Sequence, residues 1–293
     1  MNSPGPTTRF LRRLQGPLAT AGAVAAFLVN SVCYLPHASA QQPGLLRDRP
    51  DAEAELETDR DAFTPATSTV GLANTVVESS YSYIDNRTAP DTNSVPELLV
   101  RWGISQRVEL RLGWNYEAGG GGDVISSDQS AQGVDTNRFT HESRMLYGLK
   151  AAVSEQRGWT PRSCIILEGF TPTAGEATAT QFIGTYALGW EMQHRCRLES
   201  SIRYGTGNDK LDSSNRWGPS VVLRMPIDDR WNTHVEYFGV FTQGLADESS
   251  PAYVSPGTHY LITPNLELGL RLGWGVTHDA ANFFTNFGFA WRF

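Results

Sequence analysis

His234 and Glu236 stand two residues apart, and Ser201 and Ser220 occur on other stretches of the same period-two pattern. An imidazole, a carboxylate and a hydroxyl are the parts of a nucleophilic hydrolase. Their spacing, however, supplies no nucleophile elbow, no H-E-x-x-H metal pair and no Ser/His/Asp order that strands could bring together. A histidine beside a glutamate on one face of a sheet is far more often a hydrogen-bonded wall residue. Cys164 and Cys196 lack metal-site spacing, and the Gly119–Gly122 run reads as loop rather than a phosphate cradle. An enzyme is therefore the least favoured reading, with no catalytic residue, cofactor or metal expected.

A larger set of charges repeats at alternate positions. Glu97, Arg101, Glu109, Arg111, Arg144, Lys150, Glu168, Arg197, Glu199, Arg203, Arg224, His234, Glu236, Glu267 and Arg271 share one parity of successive extended segments. The opposite parity is apolar, clearest at Val108, Leu110, Leu112, Trp114 and Tyr116, and again at Leu266, Leu268, Leu270, Leu272 and Trp274. In a β-strand, alternate residues share a face. On a membrane barrel, the charged face must be the lumen, because Arg or Lys facing mid-bilayer lipid costs about 2–4 kcal/mol. Such a mixed-sign lumen could line a selective passage for small solutes. Equally, it could be a salt-bridged interior that only stiffens the wall.

Twelve strands can be written to carry these faces, at about 75–84, 95–103, 106–116, 143–152, 162–171, 181–191, 195–204, 216–226, 230–241, 257–263, 265–274 and 283–293. Pro256 and Pro264 make the tenth the weakest. Odd-numbered connections are long and polar, including 117–142 and 205–215, whereas most even-numbered ones are tight turns. That alternation predicts an all-β, up-and-down antiparallel meander closed into a transmembrane barrel, with extracellular loops at one rim and periplasmic turns at the other. Trp114, Tyr116 and Trp274 fall where one interfacial aromatic girdle belongs, and Trp231 and Trp291 where the other does. The last strand ends the sequence on Phe289, Trp291 and Phe293, all of one parity, and is expected to carry the signal read by the barrel insertion machinery.

Composition agrees. The 293 residues are 40% hydrophobic with 19% charged, and the formal charge is −7. No basic patch interleaved with aromatics suggests nucleic acid. Residues 1–40 read as a cleaved signal peptide: Arg9, Arg12 and Arg13 precede an apolar run from Leu18 to Leu35, and Ala38-Ser39-Ala40 offers the cleavage site. Cleavage removes those three arginines and no acids, taking the charge from −7 to −10. Residues 41–67 are rich in acids and prolines and read as a flexible segment before a barrel over 68–293. Cys164 and Cys196 fall on strands separated by another strand, and so read as separate thiols.

Four stretches also carry a resemblance: Glu57-Thr58-Asp59-Arg60-Asp61-Ala62-Phe63-Thr64, Val77-Glu78-Ser79-Ser80-Tyr81-Ser82-Tyr83, Pro96-Glu97-Leu98-Leu99-Val100-Arg101-Trp102-Gly103-Ile104, and Arg107-Val108-Glu109-Leu110-Arg111-Leu112-Gly113-Trp114. These are similar to the T-D-R-P-D-F-T-like box, the E-x-x-Y strand and the L-R-Y-G-(turn)-E-L-R-x-G hairpin of the outer-membrane transporter family of the meta-pathway of phenol degradation. Asp61-Ala62 replaces the family's usual Pro-Asp, and Trp102 stands where tyrosine is commoner. The resemblance implies a Gram-negative outer-membrane barrel passing small, aromatic or hydrophobic solutes, and it assigns no catalytic residue. Its expected partners are outer-membrane lipid, the insertion machinery and a small-molecule solute. The alternative is a structural or surface-interaction barrel without a conducting pore.

Overall fold

A computed structural model describes residues 56–120, 139–209, 212–243 and 249–293. The proposed signal peptide, residues 41–55 and most of loop 117–142 lie outside the described residues.

Twelve strands form the wall: β1 Thr75–Asp85, β2 Thr92–Gly103, β3 Val108–Gly119, β4 Thr140–Ser154, β5 Arg162–Ala174, β6 Gln181–Glu191, β7 Arg197–Asp209 and β8 Asp212–Pro226. The ninth, β9, runs Trp231–Gly239 and resumes over Phe241–Gln243; β10 Ala252–Thr263, β11 Leu266–Gly275 and β12 Phe283–Arg292 follow. Each strand pairs antiparallel with the next, and β12 pairs with β1 from Val76↔Arg292 to Asp85↔Phe283, closing the ring. The backbones of Phe293 and Thr75 seal the seam. Closure removes the unpaired edges that lipid would not tolerate.

Two segments depart from expectation. Residues 205–215, predicted as a long loop, instead continue the β7–β8 pairing to Asp209↔Asp212. Their glycine and small polar residues read as loop by composition, but ladder pairing needs only backbone. The tenth strand begins at Ala252 rather than 257, with Pro256 opposite Val235. Flanking strands on both sides hold it, so one missing donor does not end it.

The faces separate as the alternation requires. Leu112, Leu149, Leu167, Tyr186, Phe287, Phe289, Trp291 and Phe293 are exposed on the outside, as are Trp114, Trp231 and Trp274. Inside, glycines admit close neighbours. A Cβ on Gly103 would lie 1.6 Å from the Gly71 carbonyl oxygen, so only glycine lets the turn at 71–74 dock against the end of β2.

Candidate functional site

The interior is occupied by the chain itself. Residues Leu56–Thr67 do not form a free tail; nearly all of them are buried, with Asp59 and Thr64 at 0% exposure and Phe63 at 1%. This corrects the expectation of a flexible segment over 41–67 for its described part. The segment starts beside Val76 and Ala290 near the short-turn rim, reaches its tip at Phe63, and returns by Val70 to enter β1. Ser68 donates to the Glu57 carboxylate, which closes the base of this loop.

Charge explains why it stays. Of the fifteen inward candidates, eight are Arg or Lys and six are Glu, with His234 the remainder. Glu57, Asp59 and Asp61, less Arg60, bring a net two negative charges, which match that excess of two. Asp59 is the hub: Arg111 Nη1 donates to it at 2.5 Å and Lys150 Nζ at 3.1 Å, while Arg101 Nε lies 3.5 Å away. Arg111 also bonds Glu168 at 2.7 Å, and Arg101 bonds Glu109 at 2.8 Å and Glu78 at 3.0 Å. Glu57 pairs with Arg197 and with Arg162, and Asp61 pairs with Arg224, which holds Glu199 at 2.9 Å.

Backbone groups of the loop find wall partners as well. The Asp59 and Arg60 amides both donate to Glu78 at 3.0 Å, and those of Phe63 and Thr64 donate to Glu236 at 2.9 and 2.6 Å. Arg271 in turn donates to Glu236 at 2.7 Å. These bonds supply what an irregular backbone needs at membrane depth. At the tip, Phe63 stacks on Phe238 with ring centroids 4.6 Å apart, and the Arg203 guanidinium sits 3.9 Å from the Phe63 ring centre. Gly218 leaves the space, since a Cβ there would come within 3.0 Å of Phe63. Burying such a ring contributes about 1.5–3 kcal/mol.

Glu97, Arg101, Glu109, Arg111, Lys150, Glu168, Glu199, Arg203, Arg224, His234, Glu236, Glu267 and Arg271 are all buried, and Arg144 and Arg197 are half-buried. Most surround the loop. Arg144 stands apart, paired with Glu142 at 2.7 Å close to the long-loop rim. Glu97 also belongs to the interior, where it accepts from Ser80 and Asn286. His234 has no hydroxyl partner among the described residues, and Glu236 accepts the hydroxyl of Thr64 at 2.7 Å from the loop itself. Glu236 holds loop amides, Ser220 bonds Thr64 and Ser201, and His234 meets His259 at 2.8 Å. Cys164 and Cys196 are not joined to each other, and both are buried, with Cys164 Sγ lying 3.7 Å from the Ala66 carbonyl oxygen.

Reading the strands alone missed the loop residues Glu57, Asp59, Asp61, Phe63, Thr64 and Thr67 together with their wall partner Glu78. The signal was present as acids clustered before β1 set against an excess of cations on the inner face.

The sequence profile of the family described as "Putative MetA-pathway of phenol degradation" matches residues 58–293. The chain belongs to that family. Its match begins at Thr58, so it takes in nearly all of the buried loop as well as the barrel. No curated protein matches the chain in sequence. Among solved structures, an outer membrane channel from Pseudomonas putida F1 is similar, with a TM-score of 0.55 at 10% identity, over 78% of this chain and 98% of that one. The NanC porin gives a TM-score of 0.47 at 11% identity, over 74% and 98%. At such identities the first likeness concerns the fold, an outer-membrane β-barrel.

Proposed function

We propose that this family member is an outer-membrane channel for small solutes, stoppered on its periplasmic side by its own N-terminal loop. The observation that carries this reading is the burial of Leu56–Thr67 within the ring, tied by ion pairs rather than covalently. A salt-bridged stopper can leave and return without rebuilding any strand. The inner face also carries two apolar clusters: Ile84, Phe238, Tyr253 and Phe284, against which Phe63 of the loop packs, and Leu99, Leu146 and Phe170 with Ile183. Those surfaces suit aromatic or hydrophobic solutes, in keeping with the family's description. The similar channel from Pseudomonas putida supports a non-catalytic role through fold alone.

The test uses the native thiol behind the loop. With Cys196→Ser removing the other thiol, Ala66→Cys places a second sulfur beside Cys164. Oxidised protein in liposomes should show no swelling with small aromatic solutes, and reduction should restore it. Equal permeability in both states would remove the stopper from the transport cycle. A second reading, a barrel that never conducts, draws on the near-complete pairing of charges about Asp59. It is favoured if neither state conducts.

The exposed Phe289, Trp291 and Phe293 serve, in this reading, as the insertion signal on the lipid face. Phe293→Ser should lower the heat-modifiable, folded fraction in outer membranes while leaving export unchanged. Normal folded yield would reassign these aromatics to lipid anchoring alone.

A further inference from the structure

Asp61, at the loop, meets two histidines of the wall. His259 Nε2 lies 3.0 Å from Asp61 Oδ2 and 2.8 Å from His234 Nδ1, and the three ligand atoms all lie within 4.8 Å of one another. All three side chains are removed from solvent, with Asp61 at 7% side-chain exposure and both histidines below 6%.

Hydrogen bonding satisfies this trio poorly. His259 Nε2 has one in-plane position, yet it faces both a carboxylate and an imidazole nitrogen. If it carries a proton for Asp61, His234 must present a bare Nδ1, and a neutral His234 then holds its proton on Nε2, which is buried without a partner. If it is bare, its lone pair faces the carboxylate. Three ligand groups gathered within 4.8 Å of one another suit a cation instead. The other nitrogen of His259, Nδ1, lies 3.4 Å from Glu267 Oε1, too far for a made hydrogen bond but near enough that a slight turn of the ring would form the carboxylate–histidine pair that orients an imidazole ligand.

We propose that Asp61, His234 and His259 form a divalent transition-metal site, of the zinc or copper class, that fastens the loop to β9 and β10. Two imidazoles and one carboxylate suit those metals. Present spacings of 2.8–3.0 Å are shorter than the separation of about 3.3 Å between ligands on bonds of roughly 2.0–2.1 Å in a tetrahedron. The rings must therefore part by a few tenths of an ångström on loading. Charge accommodates the ion. Around the trio itself Asp61, Glu199, Glu236 and Glu267 stand against Arg224 and Arg271, a local excess of carboxylates that favours a cation at this point of the interior. A cavity of about 20 Å³ bordered by Asp61, His259, Glu267 and Arg271 adjoins two of the three ligands. That is room for one water as a fourth ligand. Arg224 also donates to Asp61, and on metal binding it retains Glu199 as its partner.

The experiment is titration of detergent-purified, metal-stripped protein, bearing no histidine tag, with Zn²⁺ alone, alongside the visible spectrum of the Co²⁺ form. One equivalent should bind, with a tetrahedral Co²⁺ band. His259→Gln and His234→Gln should each abolish binding. Glu267→Gln should weaken it about tenfold through the outer shell. Heat-modifiability gels identify variants that fail to fold, and Asp61→Asn, which alters the loop and leaves the wall intact, serves as the independent variant. Absence of stoichiometric binding by the folded barrel, or binding indifferent to all of these substitutions, overturns the site and leaves a proton-bridged trio. Neither outcome bears on whether the barrel conducts.

Discussion

A chain lacking residues 41–70 but retaining residues 1–40 should fold into a heat-modifiable barrel whose liposome-swelling rate exceeds that of the full chain about tenfold, as expected if the stopper rather than the wall sets the opening. The reasoning is geometric. Every described strand pairs with strand neighbours alone, so the ring does not need the loop to close. What the loop supplies is filling: Phe63 at the tip, Asp59 among three cations, and amides on Glu78 and Glu236. Without it, Arg101, Arg111 and Lys150 face water, which solvates them at no great cost once the lumen is wet. Unchanged swelling would mean that another constriction governs passage.

The second large effect concerns Asp59→Ala. Removing one member of a buried ionic cluster costs about 3–5 kcal/mol, because the partners remain buried and uncompensated. Here three partners are affected, yet the wall need not unfold to relieve them, because the loop can undock. The penalty should therefore appear as a local opening, with the undocked population raised roughly a hundred- to several-thousand-fold, at 1.4 kcal/mol per decade. Cys164 reports it directly. The thiol is wholly buried and contacts Ala66 of the docked loop. In a Cys196→Ser background, Asp59→Ala should speed its reaction with a small thiol reagent by at least about two decades. If the rate matches that of the parent, the three ion pairs at Asp59 do not hold the loop.

Much of the wall was legible because a strand's faces follow a period of two. Glu109 and Arg111 alternate with Leu110 and Leu112, and the rule reads inside from outside without any tertiary information. Strand ends were harder. Thr206 to Asn215 has the composition of a turn, and no local signal says that pairing continues there. The loop was illegible for another reason. Leu56–Thr67 has no periodicity, and its fate depends on cations contributed by β2, β3, β4 and β8, as far as 163 residues away. Asp59 meets Lys150 across 91 positions, and Phe63 meets Glu236 across 173. Only a comparison of charge totals between the lead-in and the inner face could have suggested it. The acids that look like a solvated tail are the counter-charges of a lumen. Likewise His259, which lies in the strand flanked by prolines, was not among the expected inward residues, and its partnership with His234 and Asp61 follows from the actual register of β9 on β10.

The seam between β12 and β1 sets an order of events. Val76 meets Arg292, so the pairing that closes the ring joins residues separated by nearly the whole barrel, and such contacts form late because so much chain must first be confined. The loop lies just before β1 and would be exported first, yet its partners on β8, β9 and β10 come late. During assembly Asp59 and Asp61 must therefore wait in water while the wall is added strand by strand. The interior would be filled as the seam shuts, and the first residues exported would be among the last to find their places.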